Sequence, residues 1–149
     1  MIYIDLHHIE AIKNHGVKTY PEECCGLLLG KAVAQGKLVQ QVWETVNSWE
    51  PESFEDLATP GASKLNRFSI APETLLAAHK KAREVELDIV GIYHSHPNHP
   101  AIPSEFDRAV AHPGYSYLII SVHQGQPQSM LSWELDPQRQ FQSEEIITI

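Results

Sequence analysis

The sequence predicts a mixed fold, α+β or mixed α/β, from two observations. Apolar runs of strand length, at residues 25–29, 88–93 and 117–122, alternate with segments of helical spacing at 5–18 and 72–86. These segments follow one another without a strict strand–helix–strand repeat. The length of 149 residues fits one domain with a single core. Apolar residues make up 42% and charged residues 20%, an ordinary globular balance that argues against wholesale disorder.

Asp5 is placed to cap a helix running to about Lys18, with Leu6, Ile9, Ile12 and Val17 toward one face. Gly16 weakens its last turn, and Tyr20-Pro21 ends it. Residues 25–29, closed by Gly30, read as a buried strand. Gly36 marks a turn, and residues 38–46 alternate enough for a partner strand. Residues 47–66 differ, holding Pro51, Pro60, Gly61 and the acids Glu50, Glu52, Glu55 and Asp56. A loop of about twenty residues is long for a compact domain and suggests a functional or mobile segment.

Residues 67–70 suit a strand. Pro72 sits at a helix start, and Leu75, Leu76, His79 and Ala82 suit a helix to about Glu86. Residues 88–93 are β-rich and expected to be central. After a Pro-rich stretch at 97–103, Ser104 caps a short helix to about Ala111, with Glu105 in its first turn. Strands are expected at 117–122 and 129–135, and the tail, 141–149, suits an edge strand.

Lys and Arg number 11 against 19 Asp and Glu, a formal charge of −8. This balance argues against bulk electrostatic binding to nucleic acid or to an anionic membrane. No segment approaches the ~20 apolar residues of a membrane span. The N-terminus also lacks the basic start and apolar run of a signal peptide. A soluble, cytoplasmic protein is expected. Cys24 and Cys25 are adjacent, and neighbours rarely bridge without strain, so no disulfide framework is expected. They read as a buried strand pair rather than as nucleophiles.

The informative stretch is His94-Ser95-His96-Pro97, followed by Ser104-Glu105-Phe106-Asp107. His94 and His96 sit at the end of an expected strand, where a period of two turns both imidazoles to one face. Two neutral imidazoles held together suit Zn²⁺. Asp107 can supply a third ligand from the short helix, leaving the fourth position open to water, as in catalytic rather than structural zinc sites. Ser104 lies three residues before Asp107, on the same helix face. A His-x-His pair alone does not specify a metal. Trp43, Trp49 and Trp133 read as core or groove walls, and His7, His8, His15, His79, His112 and His123 as surface or helix-face residues.

With its flanking residues, the pair resembles the JAMM metalloproteases, also called the MPN-plus family. Their signature is a distant Glu, then His-(Ser/Thr)-His-Pro, six residues, Ser, two residues and Asp. His94-Ser95-His96-Pro97, residues 98–103, Ser104 and Asp107 fit it without a gap. Glu23 fits the distant Glu, three residues before Gly26 at the start of an apolar strand, although Glu22 is acidic too. The resemblance extends over residues 1–135 or so. It implies a single JAMM/MPN-like domain over 1–149, with a central, mostly antiparallel sheet flanked by helices. It also implies hydrolysis of a peptide or isopeptide bond: His94, His96 and Asp107 hold Zn²⁺, Glu23 serves as general base and then acid, and Ser104 donates to the oxyanion. His99, in the motif loop, is a candidate substrate contact.

The short form resembles the prokaryotic stand-alone branch, which acts beside ubiquitin-like sulfur-carrier proteins. The implied partner is such a carrier, cut after its C-terminal Gly-Gly. The competing expectation is a non-catalytic MPN-type interaction scaffold, although such scaffolds lose metal ligands that this chain keeps. A DNA-repair relative of the same fold fits poorly with the charge of −8.

Overall fold

The structure, a computed structural model, describes residues 1–51 and 60–149; the middle of the loop expected at 47–66 lies outside the described residues. The elements run β1 (Ile2–Ile4), α1 (Leu6–Thr19), β2 (Cys25–Val33), β3 (Gly36–Thr45), α2 (Pro72–Glu84), β4 (Asp88–Pro97), α3 (Glu105–Val110), β5 (Ser116–His123), β6 (Gln126–Leu135), β7 (Phe141–Glu144) and β8 (Ile146–Thr148). Their strands form one mixed sheet in the order β7-β6-β5-β4-β2-β3-β1-β8. Four neighbouring pairs are antiparallel and three parallel.

Only Glu145 separates β7 from β8, yet these strands lie at opposite ends of the sheet order. The sheet therefore curls until its two ends meet at the tail. Lys37 of β3 bridges the same region, donating to Ser116 Oγ at 2.9 Å and to Glu134 Oε2 at 3.0 Å. The tail was expected as one edge strand. It supplies both edges because, past Glu144, the curled sheet sets β1 beside it, and Ile2 N donates to Glu145 O.

The sheet separates two cores. On one face Ile9 and Ile12 of α1 pack on Leu28, Tyr93, Leu118 and Ile120. On the other, Ala78 and Ala82 of α2 pack with Cys25, Leu27, Leu29, Phe68 and Ile89. This division follows from strand alternation, which sends Cys25, Leu27 and Leu29 one way and Leu28 the other. α1 starts as expected, with the Asp5 carboxylate accepting from His7 N at 2.7 Å. Its buried stripe is Ile9, Ile12, His15 and Gly16, whereas Leu6 and Val17 face solvent. Gly16 serves packing rather than the helix end: a Cβ there would lie 3.1 Å from Val122 Cγ2 and 3.6 Å from Ser95 Cβ. On α2, Leu76 and His79 are likewise exposed.

Two further corrections concern extended segments. Residues 2–4 form a strand that the sequence reading missed, because three residues offer too little alternation to register. Residues 67–70 are not a strand. Their backbone groups are taken up locally: Arg67 O and Ser69 N bond the Asn47 side chain, and Ser69 O accepts from Ser48 N. Among the described residues, no helix is long and apolar enough to cross a membrane.

Candidate active site

β4 lies inside the sheet, antiparallel to β2 and parallel to β5. It continues past Tyr93 to Pro97, so the whole His94-Ser95-His96-Pro97 motif is strand. Alternation sends Tyr93 and Ser95 toward α1, and His94 and His96 to the opposite face. The register pairs Cys25 with His94, and the extended chain before β2 turns Glu23 to the imidazole side. Glu23 is 4% exposed, whereas Glu22 is exposed to solvent. That contrast is what alternation predicts for adjacent acids on an extended chain.

Asp107 arrives on α3. Ser104 caps this helix in a reciprocal box: its Oγ accepts from Asp107 N at 3.1 Å, and its N donates to Asp107 Oδ2 at 2.8 Å. The box fixes the Asp107 carboxylate against both imidazoles. His96 Nε2 lies 3.1 Å from Oδ2 and His94 Nε2 lies 3.7 Å from Oδ1. On its other side His94 Nδ1 is 3.6 Å from Glu23 Oε1, beyond hydrogen-bond reach. Glu23, His94 and His96 each bring one potential ligand atom within 4.8 Å of the others. The five residues expected from the motifs, Glu23, His94, His96, Ser104 and Asp107, thus stand together.

Proton bookkeeping tests whether these residues fit a cation. His96 Nδ1 lies 2.9 Å from Pro100 O, which can only accept, so Nδ1 carries a proton. Its Nε2 then faces a carboxylate that, when ionised, cannot donate. Either a second proton or a cation must stand between them. His94 is fully buried, and neither of its ring nitrogens has a hydrogen-bond partner among the described residues; Glu23 Oε1 has none either. Such groups are costly unless something completes them. Ligands about 2.0–2.1 Å from a tetrahedral cation lie roughly 3.3 Å apart. The 3.1 and 3.7 Å separations bracket that value, so the donor set fits a metal such as zinc.

The protein's own charges point the same way. Burial would raise the Asp107 carboxyl, but His94 and His96 outweigh it and hold it well below the usual carboxylate range. Burial disfavours charge on His96, yet the Asp107 carboxylate prevails and holds the imidazole above its ordinary value. Glu23 is pushed up by burial, against the opposing pull of His94. Both cysteines are free and buried, and burial pushes the Cys24 thiol up to about 12 and Cys25 to about 11, so neither is a nucleophile near neutrality.

A cleft of about 310 Å³ opens over Glu23, His96 and Ser104, walled by Asn66, Arg67, His99, Pro100 and Ile102. His99 therefore stands where a substrate contact was expected. Three supports escaped the sequence reading. Phe68 stacks on His94, with ring centroids 4.4 Å apart. Ser95 Oγ accepts from Cys24 N at 2.8 Å, pinning the residue after Glu23. Asn47 holds the Glu23 carbonyl, with Nδ2 donating at 3.1 Å. An aromatic in 67–70 and an Asn at a strand end were the available signals, and neither is specific.

Known proteins resemble the chain in sequence and in fold. The model of the family described as prokaryotic homologs of the JAB domain matches residues 5–136. Desampylase from Haloferax volcanii is 33% identical over 102 residues, which cover 68% of this chain and 63% of that protein. The match thus spans less than two thirds of the relative's length. A Desulfitobacterium hafniense protein solved in solution has a TM-score of 0.81 at 30% identity, covering 100% of this chain and 93% of its own. A JAB1/MPN domain protein from Archaeoglobus fulgidus shares the fold, with a TM-score of 0.59 at 15% identity over 100% of this chain and 97% of its own. The family match takes in both motifs and every element from α1 to β6, and so the chain belongs to the prokaryotic homologs of the JAB domain, of the JAMM (MPN-plus) type.

Proposed function

We propose that the protein is a zinc-dependent JAMM peptidase that hydrolyses the bond after the C-terminal Gly-Gly of a ubiquitin-like or sulfur-carrier protein. The observation that carries this reading is the buried group of Glu23, His94, His96 and Asp107, in which both His94 nitrogens and Glu23 Oε1 lack hydrogen-bond partners among the described residues and the Asp107 carboxylate faces both imidazoles. His94, His96 and Asp107 would hold Zn²⁺. When bound, the metal supplies Lewis acidity, bringing the pKa of a water toward ~7 and polarising the scissile carbonyl.

The remaining work falls to the chain's own residues. Glu23, raised by burial, is suited to take the proton of the attacking water and pass it to the leaving amine. The water's oxygen becomes part of the new carboxylate, the carbon–nitrogen bond breaks, and the amine leaves with the proton that Glu23 delivers. Ser104 uses a lone pair of Oγ for the helix cap, which leaves its O–H free to donate to the oxyanion. The carrier substrate is supported by the similarity to a desampylase and by the resemblance to the sulfur-carrier-linked branch.

The test is incubation of the protein with a Gly-Gly-ended ubiquitin-like carrier bearing a C-terminal extension, read by mass spectrometry. The expected product is the carrier ending at Gly-Gly, lost on chelation and restored by zinc. An intact carrier after incubation with the zinc-loaded protein would overturn the proposal, and cleavage indifferent to chelation would remove the metal.

A further inference from the structure

We infer that Asn47 is a positioning residue of this site, its side-chain amide tying the backbone of Glu23 to the segment that stacks Phe68 on His94. The inference rests on the hydrolytic reading above and deepens it. Asn47 lies just past β3, at the start of the long loop. A primary amide offers two N–H donors and an oxygen with two lone pairs. Here all four are used. Nδ2 donates to Glu23 O at 3.1 Å and to Arg67 O at 2.9 Å. Oδ1 accepts from Trp49 N at 3.1 Å and from Ser69 N at 3.2 Å.

The partners come from separate parts of the chain. Glu23 carries the proposed general base. Arg67 and Ser69 flank Phe68, whose ring lies on the His94 imidazole with planes 23° apart. One side chain therefore joins the base to the aromatic support of a proposed metal-holding imidazole. The join matters because Glu23 Oε1 has no hydrogen bond among the described residues that would orient the carboxylate directly. Its position depends on the backbone: Glu23 N donates to Lys64 O, Glu23 O accepts from Asn47, and Cys24 N donates to Ser95 Oγ. Releasing the Asn47 contact leaves the Glu23–Cys24 peptide unit held through Cys24 N alone. A misplacement of about 1 Å can cost about 10²-fold in rate. Asp matches the shape of Asn but has no N–H to donate, and Ala has neither half of the amide.

The experiment compares zinc-loaded wild type, Asn47→Ala and Asn47→Asp on the extended carrier. It reads kcat and KM separately, zinc per chain, and the His94 ring-proton NMR signals, which the stacked Phe68 shifts upfield. Asn47→Ala should lower kcat roughly 10- to 100-fold, with KM within about twofold and zinc retained. Its His94 signals should move downfield. Asn47→Asp keeps the acceptor for Trp49 N and Ser69 N, so its His94 signals should stay near wild type while kcat falls as in Asn47→Ala. A kcat within about threefold of wild type in both variants would overturn the inference. So would a rise in KM alone, loss of zinc from Asn47→Asp, or His94 signals unmoved in Asn47→Ala. If Asn47→Ala does not fold, the isosteric Asn47→Asp decides by the same limits on kcat, KM and zinc. A wild-type protein that cuts no carrier would instead remove the proposed activity itself. Cleavage by wild type with unchanged variants would remove only the role of Asn47.

Discussion

On the face of β4 toward α1, the Tyr93 hydroxyl meets His15 Nδ1 at 2.8 Å, and Ser95 Oγ accepts from Cys24 N at 2.8 Å. On the opposite face of the same strand, His94 leaves both ring nitrogens without a hydrogen bond among the described residues. Burial does not distinguish the two faces, since Tyr93, Ser95 and His94 are all 0% exposed. What differs is completion. An unpaired buried polar group costs about 1–3 kcal/mol, so a fold carries several together only where another partner is to complete them. His15 is a buried histidine whose exposed-state charge is suppressed, burial holding its pKa below the ordinary value. His94 is equally buried and unfinished. The unfinished hydrogen bonding, more than the histidine, marks the site.

The largest expected effect tests that contrast directly. His94→Ala, His96→Ala and Asp107→Ala should each reduce zinc from about one per chain to none and abolish cleavage. His15→Ala should keep both. It should cost only stability, about 1–3 kcal/mol in denaturant unfolding, because the Tyr93 hydroxyl loses its partner. Zinc retained in His94→Ala, or lost in His15→Ala, would break the distinction between the faces.

Within the unfinished face, Glu23 and Asp107 are both buried carboxylates with opposite displacements, Glu23 upward and Asp107 downward. Opposite displacements suit the two proposed roles, a carboxylate that takes up a proton more readily and a ligand that stays ionised. Glu23→Gln should therefore keep zinc and lose about 10²–10⁴-fold in kcat. Exposed Glu22 serves as the control, and Glu22→Gln should be nearly silent. Metal analysis beside kinetics would expose Glu23 as a ligand if Glu23→Gln emptied the site.

The same contrast explains what the sequence made legible. Glu23, His94, His96, Ser104 and Asp107 were named by resemblance to the JAMM signature, and strand alternation and a helix cap bring them together. Apolar runs likewise located β2, β4 and β5, whose local patterns match their burial. The reading failed where a distant partner decides the outcome. β1 exists through pairing with β3 and β8, and the tail divides because the sheet curls. Residues 67–70 have strand composition, yet the Asn47 side chain and Ser48 N take backbone groups that a neighbour strand would use. On α1 and α2 the helical period was right, and Ile9, Ile12 and Ala82 are buried as expected, but the stripe is offset enough to leave Leu6, Val17 and Leu76 in solvent.

Ser104 joins a structural and a proposed catalytic role in one hydroxyl, and Ser104→Ala should show both. Losing an oxyanion donor typically costs about 10²–10³-fold in kcat. Losing the cap costs about 0.5–2 kcal/mol of stability. A stability loss without a kinetic one would confine Ser104 to capping and place the oxyanion donor elsewhere.

The smallest expected effect is a pH dependence that changes sign with metal. In chelator-treated protein, the folded pKa of His96 lies above its unfolded value of about 6.5. Its stabilising contribution is therefore complete below that pH and is lost as pH rises through the folded value. Glu23, also raised, acts in the same direction, since its buried carboxylate is penalised as pH rises from about 4. Asp107, held low, gives stability that is lost only in acid, below this window. His15, lowered by burial, opposes the trend, but it is common to wild type and Asp107→Asn and cancels in their difference. Relative to Asp107→Asn, chelated wild type should lose Tm as pH rises above about 6.5. With zinc the slope should reverse, because the metal takes the neutral imidazole and binds more tightly as protons leave. The change should be a few degrees, about 2–4 °C being the return on 1 kcal/mol in a chain of this size. A wild-type slope unaffected by Asp107→Asn would mean that His96 is not the titrating partner. A slope of the same sign with and without zinc would mean that proton and metal do not compete for this pair.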